Sequence, residues 1–141
     1  EGESLPLIAY FQPPVPEEYS VSAVVDFYLP VMPEDTRYFP VEILEQELDF
    51  SDDRESVRVS GGLTFTTEGR DAEYLWLHAT AFDVDGNIVA ARRWEAEGPT
   101  QSGEQVDFQV TLYSLGGPID QVDLLAEAHR LPEPTPTPTP Q

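Results

Sequence analysis

The chain has 141 residues, enough for one domain with its own core, or for one domain and a fragment of another. Its 27 acidic residues face only 7 basic ones, and the net charge of −20 disfavours binding to nucleic acid or to anionic membrane surfaces. The absence of cysteine excludes disulfides, thiolate nucleophiles and cysteine-bound zinc. No apolar stretch reaches the roughly 18 residues of a membrane-spanning helix, so we expect no direct membrane insertion.

Residues 1–29 resemble the end of the chain at a constant offset of 101 residues. Gly2-Glu3 aligns with Gly103-Glu104, and the alternating apolar residues of 21–27 align with those of 122–128. A period of this size is typical of tandem modules. We therefore predict that residues 1–29 form a β-hairpin that belongs to the end of a preceding repeat. The alternatives are a hairpin that docks on the face of Tyr74 and Trp76 in the same chain, and one that donates a strand to a neighbouring chain. Because the only methionine is Met32, we expect the chain to be part of a longer protein.

Residues 30–38 are rich in proline and acid, which predicts a linker between modules. Beyond it, apolar and polar residues alternate with period two, and turn signals separate the runs. Residues 41–48 could form a helical turn or a bulged strand, and the β context favours the strand. This pattern predicts an all-β, immunoglobulin-like antiparallel β-sandwich over residues 39–131, with the N-terminal hairpin in addition. The strands are expected near residues 40–49, 56–66, 72–83, 87–95, 104–114 and 120–130.

The apolar positions of these strands predict the core. The residues expected to be buried between two sheets are Val57, Val59, Phe65, Leu75, Leu77, Val106, Phe108, Val110, Val122 and Leu124. Residues 72–82 are apolar on both faces, which indicates a central strand. Gly61-Gly62 indicates a bulge or a close approach of two backbones.

Residues 132–141 alternate proline with threonine and glutamate. Proline fixes φ and removes a hydrogen-bond donor, so the run predicts an extended, semi-rigid tail. Such Thr-Pro repeats are typical of stalks on exported proteins.

Three motifs carry a family resemblance: Val57 to Gly61 with its glycine, the run Phe82-Asp83-Val84-Asp85-Gly86, and Ser102-Gly103-Glu104 before the next strand. On these motifs, residues 41–130 resemble the bacterial immunoglobulin-like module called the FxLYD domain. Ala79-Thr80-Ala81-Phe82-Asp83 keeps only the aromatic residue and the final aspartate of the namesake motif. The resemblance implies a module exported to or anchored in a bacterial cell envelope, often in tandem.

Catalytic motifs are missing from the sequence: it contains no nucleophile elbow, zinc-binding His-Glu-x-x-His helix or phosphate-binding glycine loop. The only imidazoles, His78 and His129, lack a partner pattern. We therefore expect no enzyme activity and no cofactor.

Two groups of residues are candidate binding sites. Tyr74, Trp76 and Trp94 could present an aromatic face to a polysaccharide or a protein. Asp83, Asp85 and Asn87 could hold a surface cation, although Asp-Gly turn chemistry explains the same residues.

The leading hypothesis is a non-catalytic, exported bacterial module that acts as a spacer, stalk or assembly unit of an envelope protein. Its partner would be an adjacent repeat or a neighbouring protomer, contacted through residues 1–29. The alternatives are a binding module that uses the face of Tyr74, Trp76 and Trp94, and an accessory domain of an upstream enzyme.

Overall fold

The computed structural model describes residues 35–67 and 69–130, and in the N-terminal region only residues 14, 20, 22–24, 26 and 32. Most of the predicted hairpin and the tail at 132–141 therefore lie outside the described residues, as do residues 30, 31, 33 and 34 of the predicted linker.

Within residues 35–67 and 69–130, the structure contains strands and no helix. Both sheets are antiparallel, which confirms the predicted all-β fold. The strands are β1 Tyr38–Phe39, β2 Glu42–Phe50, β3 Ser56–Thr64, β4 Tyr74–Phe82, β5 Ile88–Glu95, β6 Gln105–Tyr113 and β7 Gln121–His129. Tyr38, the last residue of the predicted linker, is part of β1.

The strand order is β1-β7-β4-β5 in the four-stranded sheet and β2-β3-β6 in the three-stranded sheet. In immunoglobulin-like sandwiches, strand G follows strand F along the chain and pairs with its outer edge. Here β4 and β7 correspond to strands C and F. Within residues 35–67 and 69–130, the place of strand G is covered only by β1, which pairs with Ala128 and His129.

Long strands alternate in direction, so the sandwich has two ends. The near end carries Tyr38, Tyr74 and His129, which are neighbours in the sheet register. The far end carries the turns that connect β2 to β3, β4 to β5 and β6 to β7. The chain enters and leaves the sandwich at the near end, where the Arg130 N–H donates to the Arg37 carbonyl at 2.9 Å.

The core lies between the sheets and matches most of the sequence prediction. Seven of the ten predicted core residues are buried, whereas Val106, Val122 and Leu124 are only partly buried. Val122 and Leu124 face inward, because they stand opposite the buried Ala81 and Ala79. Their prediction as buried residues is wrong because, among the described residues, only β1 lies on the outer side of β7.

Gly61 lies where the backbone of β2 approaches β3 closely, as the Gly61-Gly62 pair in the sequence predicts. The register of β2 on β3 shifts between Leu44 and Glu47, so β2 is a strand with a bulge. A Cβ atom on Gly61 would lie 2.8 Å from the Leu44 carbonyl oxygen and 3.0 Å from the Phe108 ring. Glycine is therefore required where the bulge of β2 contacts β3.

The two long sides of the sandwich differ. Along the closed side, β5 lies beside β6, and the Arg92 side chain donates to the Thr111 carbonyl at 3.2 Å. Along the other side, no hydrogen bond joins β2 to β7 within residues 35–67 and 69–130. We call this second side the open seam. Its inward-facing residues are partly buried or exposed: Ile43, Leu48 and Phe50 from β2, and Val122, Leu124 and Ala126 from β7.

Candidate functional site

The outer face of the four-stranded sheet carries the first candidate site. On β4, Leu75 and Leu77 are buried, so the alternate residues Tyr74, Trp76 and His78 point away from the core. The sequence prediction that Tyr74 and Trp76 share a face agrees with this geometry.

His129 of β7 stands at the centre of an aromatic cluster formed by Tyr38, Tyr74, Trp76 and His129. Its ring lies edge-on to Trp76 at 4.7 Å and stacks on Tyr74 at 5.0 Å, measured between centroids. Tyr38 completes the group at 5.8 Å from His129. No local sequence pattern predicts the contact of Tyr38 with His129, because it depends on the pairing of β1 with β7.

Polar and charged groups border the aromatic cluster. His78 Nε2 lies 3.1 Å from the Glu127 carboxylate, and the Arg93 guanidinium lies 4.6 Å above the Trp76 ring. The Trp76 indole Nε1 is buried and has no hydrogen-bond partner among the described residues. The rings of Trp76 and His129 are nearly perpendicular, at 80°, so the cluster is not flat. Its partly exposed aromatic rings with charged borders are suited to contacts with a sugar ring or a partner's side chain.

Trp94 does not belong to this face, so the prediction of one face for all three aromatic residues is wrong. It stands opposite the buried Leu77, and its ring lies 6.2 Å from that of Phe108 on the inner side of the sheet. The cause is a register shift: Phe82 pairs with Ile88, but Ala81 pairs with Ala90. Without that extra residue Trp94 would stand opposite Trp76, because a shift by one residue moves every side chain to the other face.

Trp94 instead lines a cavity of about 390 Å³ beside β5 and β6. Four carboxylate side chains share the lining: Glu95, Glu97, Glu104 and Asp107. No residue of the aromatic cluster lines this cavity, which lies at the end of β5 beside β6.

The predicted cation site at Asp83, Asp85 and Asn87 is occupied by turn hydrogen bonds. The Asp83 carboxylate accepts from the Asn87 side-chain amide, from the Asn87 N–H at 2.8 Å and from the Asp85 N–H at 3.0 Å. These bonds, the Asn87 side chain first, hold the pKa of Asp83 below its ordinary value. The arrangement is a self-contained turn, so a cation there would compete with these donors.

The second candidate surface is the outer edge of β7. The Arg130 N–H points to β1, so alternation along the strand directs the backbone of Ala128, Ala126, Leu124 and Val122 to the same side. Ala128 pairs with Phe39, but the other three have no strand beside them in the described part of the chain. An open edge of this kind is a template for pairing with another strand.

The described part of the chain contains no group of three or more histidine, cysteine, aspartate or glutamate residues able to hold a metal ion. Over those residues, no helix is long and apolar enough to cross a membrane.

Comparison with known proteins yields no relative. No family model, no curated protein and no solved structure matches the chain. The resemblance to the FxLYD module therefore stays a prediction from its three motifs.

Proposed function

We propose that the chain is a non-catalytic immunoglobulin-like module of an exported bacterial envelope protein, and that it acts as an assembly unit rather than as a spacer or stalk. The observation that carries this proposal is that the chain enters and leaves the described sandwich at the same end. Tyr38 and His129 stand opposite each other in neighbouring strands, where Cα atoms are about 5 Å apart.

The number of long strands explains why the chain enters and leaves the sandwich at the same end. Six long strands, β2 to β7, run back and forth between the two ends, so an even number returns the chain to its starting end. A seventh long strand would carry the chain out at the far end, and tandem modules would then extend a rod. If the chain enters and leaves a module at the same end, that module adds little length to a tandem array and projects sideways from it.

The sequence supports the exported location. A Thr-Pro tail is typical of stalks on exported proteins, and the likeness between residues 1–29 and the chain's end is typical of tandem modules. The highly acidic composition without cysteine is compatible with an exported bacterial domain. The resemblance to the FxLYD module supports the same location.

A distance measurement tests the assembly role against the spacer role. Because the chain has no cysteine, Thr36→Cys with Arg130→Cys places one fluorophore pair across the near end. The matched pair Thr36→Cys with Val84→Cys spans the length of β4, about 26 Å for nine residues. We expect much stronger energy transfer within the first pair. Equal transfer in both pairs would contradict the proposal and favour a spacer.

The aromatic cluster favours a second function, a binding module for polysaccharide or protein. Its Trp76 ring is partly exposed and has two aromatic neighbours within 6 Å, Tyr74 and His129. If this face binds polysaccharide, Trp76→Ala should abolish retardation in affinity gels, since stacking needs the indole ring. Tyr113→Ala is the matched control, because Tyr113 is exposed on β6 in the other sheet. Equal retardation of both variants would exclude the aromatic cluster as the binding face.

A further inference from the structure

At the open seam, the described part of the sandwich lacks a full edge strand beside β7. Leu48 shows this most clearly: it pairs with the fully buried Val59 and therefore faces inward, yet 40% of its surface is exposed. Across the seam, Leu124 faces inward opposite the buried Ala79 and is only partly buried. Inward-facing residues that remain accessible need a cover, because exposed apolar surface is unfavourable in water.

Both ends of the open seam are already closed. At the far end, the Arg54 guanidinium donates to the Ile119 carbonyl at 2.7 Å and lies 4.3 Å above the Phe50 ring. At the near end, β1 pairs with Ala128 and His129. The gap between them is the edge of residues 121–127, long enough for a strand of about seven residues.

The strand that fills this gap needs apolar residues at alternate positions and little negative charge. Residues 19–27 read Tyr-Ser-Val-Ser-Ala-Val-Val-Asp-Phe, with one apolar side at Val21, Ala23, Val25 and Phe27 and a single carboxylate. The edge itself carries Asp123 and Glu127, so a stretch with only one carboxylate limits repulsion in a chain of net charge −20. The segment matches the edge in length, alternation and charge.

Within one chain, the described residues of this segment are not in place on the edge. Residues 22–24 and 26 are exposed and outside any strand, and Val24 is 80% exposed. Ten residues, 28–37, connect the segment to β1, and an extended chain of that length reaches about 33 Å. The segment can therefore reach a neighbouring molecule.

We infer that residues 19–27 of a second copy of this chain pair with the open edge of β7 and complete the sandwich. This inference rests on the proposed assembly role and names its partner. Each copy offers one donor segment and one acceptor edge, so the contact is head-to-tail and builds a ring or a chain of copies.

Cross-linking of the full chain tests the inference. In a centred antiparallel register, Val24 lies opposite Asp123, and both point away from the core. The single variants Val24→Cys and Asp123→Cys are mixed and treated with a short bismaleimide. We expect a covalent dimer of the two different variants. Val24→Cys mixed with Val84→Cys, an exposed position on a far-end turn, is the control and should give little dimer.

Sedimentation of the cysteine-free chain supplies an independent measure. We expect species larger than a monomer that dissociate on dilution. Ala23→Pro should shift them to monomers, since proline removes a donor from the pairing strand. Because Ala23 is exposed in the single chain, the variant should keep the circular dichroism of the sandwich. Ser22→Ala, which keeps the backbone donor, should assemble as the wild type does.

Two results would overturn the inference. A chain that is monomeric at all concentrations and gives no Val24–Asp123 cross-link has no such partner contact. A double variant that cross-links only within one molecule would place the segment on its own edge. Neither result changes the energy transfer expected across the near end. Failure of the inference can therefore be distinguished from failure of the proposed function.

Discussion

The two long sides of the sandwich are built from similar strands but differ in how they are closed. On the closed side, Trp94 packs toward Phe108, and the Leu115 N–H donates to the Val89 carbonyl at 2.9 Å. On the open seam, inward-facing residues such as Leu48 and Leu124 stay accessible. The comparison teaches that alternation decides which way a side chain points, whereas a neighbouring strand decides whether it is buried.

The largest expected effect is at Phe108, which supports the closed side. Its side chain is 3% exposed and lies against Gly61 and Trp94. Phe108→Ala should lower the free energy of unfolding by about 3–5 kcal/mol, because it removes buried area and leaves a cavity. Urea denaturation measures this. A variant that melts within a few degrees of wild type would contradict the described core.

Leu77 and Leu124 form a matched pair of inward-facing leucines, one fully buried and one at the open seam, whose stability losses can be compared directly. Leu77 is fully buried, and Leu77→Ala should destabilise the domain by about 2–5 kcal/mol. Leu124→Ala should cost less than half as much in dilute solution, because the side chain is already partly in water. Equal losses in dilute solution would mean that the open seam is covered within a single chain.

Gly61 and Gly62 form a second matched pair, on β3 beneath the bulge of β2. Gly61→Ala places a Cβ against the Leu44 backbone and should destabilise the domain by about 1–3 kcal/mol. Gly62→Ala meets only the Gln105 side chain, which can move aside, so its effect should be smaller. Thermal melts of the two variants compare them. A larger loss at Gly62 would contradict the bulge geometry.

The smallest expected effect concerns β1, the one strand that covers part of the open seam. Hydrogen bonds from the Arg37 side chain and backbone lower the pKa of Asp35 from 3.8 to about 2. A carboxyl whose pKa is lowered on folding contributes stability above its unfolded value, and this is lost as pH falls through the folded value. The pairing of β1 should therefore loosen between pH 3.8 and about pH 2.

Amide signals of Tyr38 and His129, followed by NMR in an acid titration, measure this loosening. Asp35→Asn is the control, because it lacks the titrating carboxyl but leaves the many other carboxylates in place. If wild type and the variant titrate alike over these two amides, Asp35 does not anchor β1.

The sequence predicts the strands well because alternation is a local property. The run from Val57 to Leu63 and the run from Val106 to Leu112 each show their buried face without knowledge of the partner. The Asp-Gly turn before Asn87 was recognisable for the same reason, since Gly86 has the positive φ of 80° that this turn requires.

Contacts that depend on pairing could not be predicted. The single extra residue between Ile88 and Ala90 turns Trp94 to the inner face, and no local pattern marks it. The aromatic cluster needs β1 to pair with the end of β7, although β1 is only two residues long and follows a proline-rich stretch. The accessibility of Val122 depends on whether a strand pairs with the outer edge of β7, and none of the described residues does so at this position. Alternation within β7 does not reveal this.

Amide hydrogen exchange along β7 tests the central claim, an open edge completed by a second copy, most directly. The N–H groups of Val122, Leu124 and Ala126 face that edge, whereas those of Asp123 and Leu125 face β4. In dilute solution we expect the first three to exchange much faster than the other two, and to become protected as the chain concentration rises. Equal protection of both sets at every concentration would contradict the account.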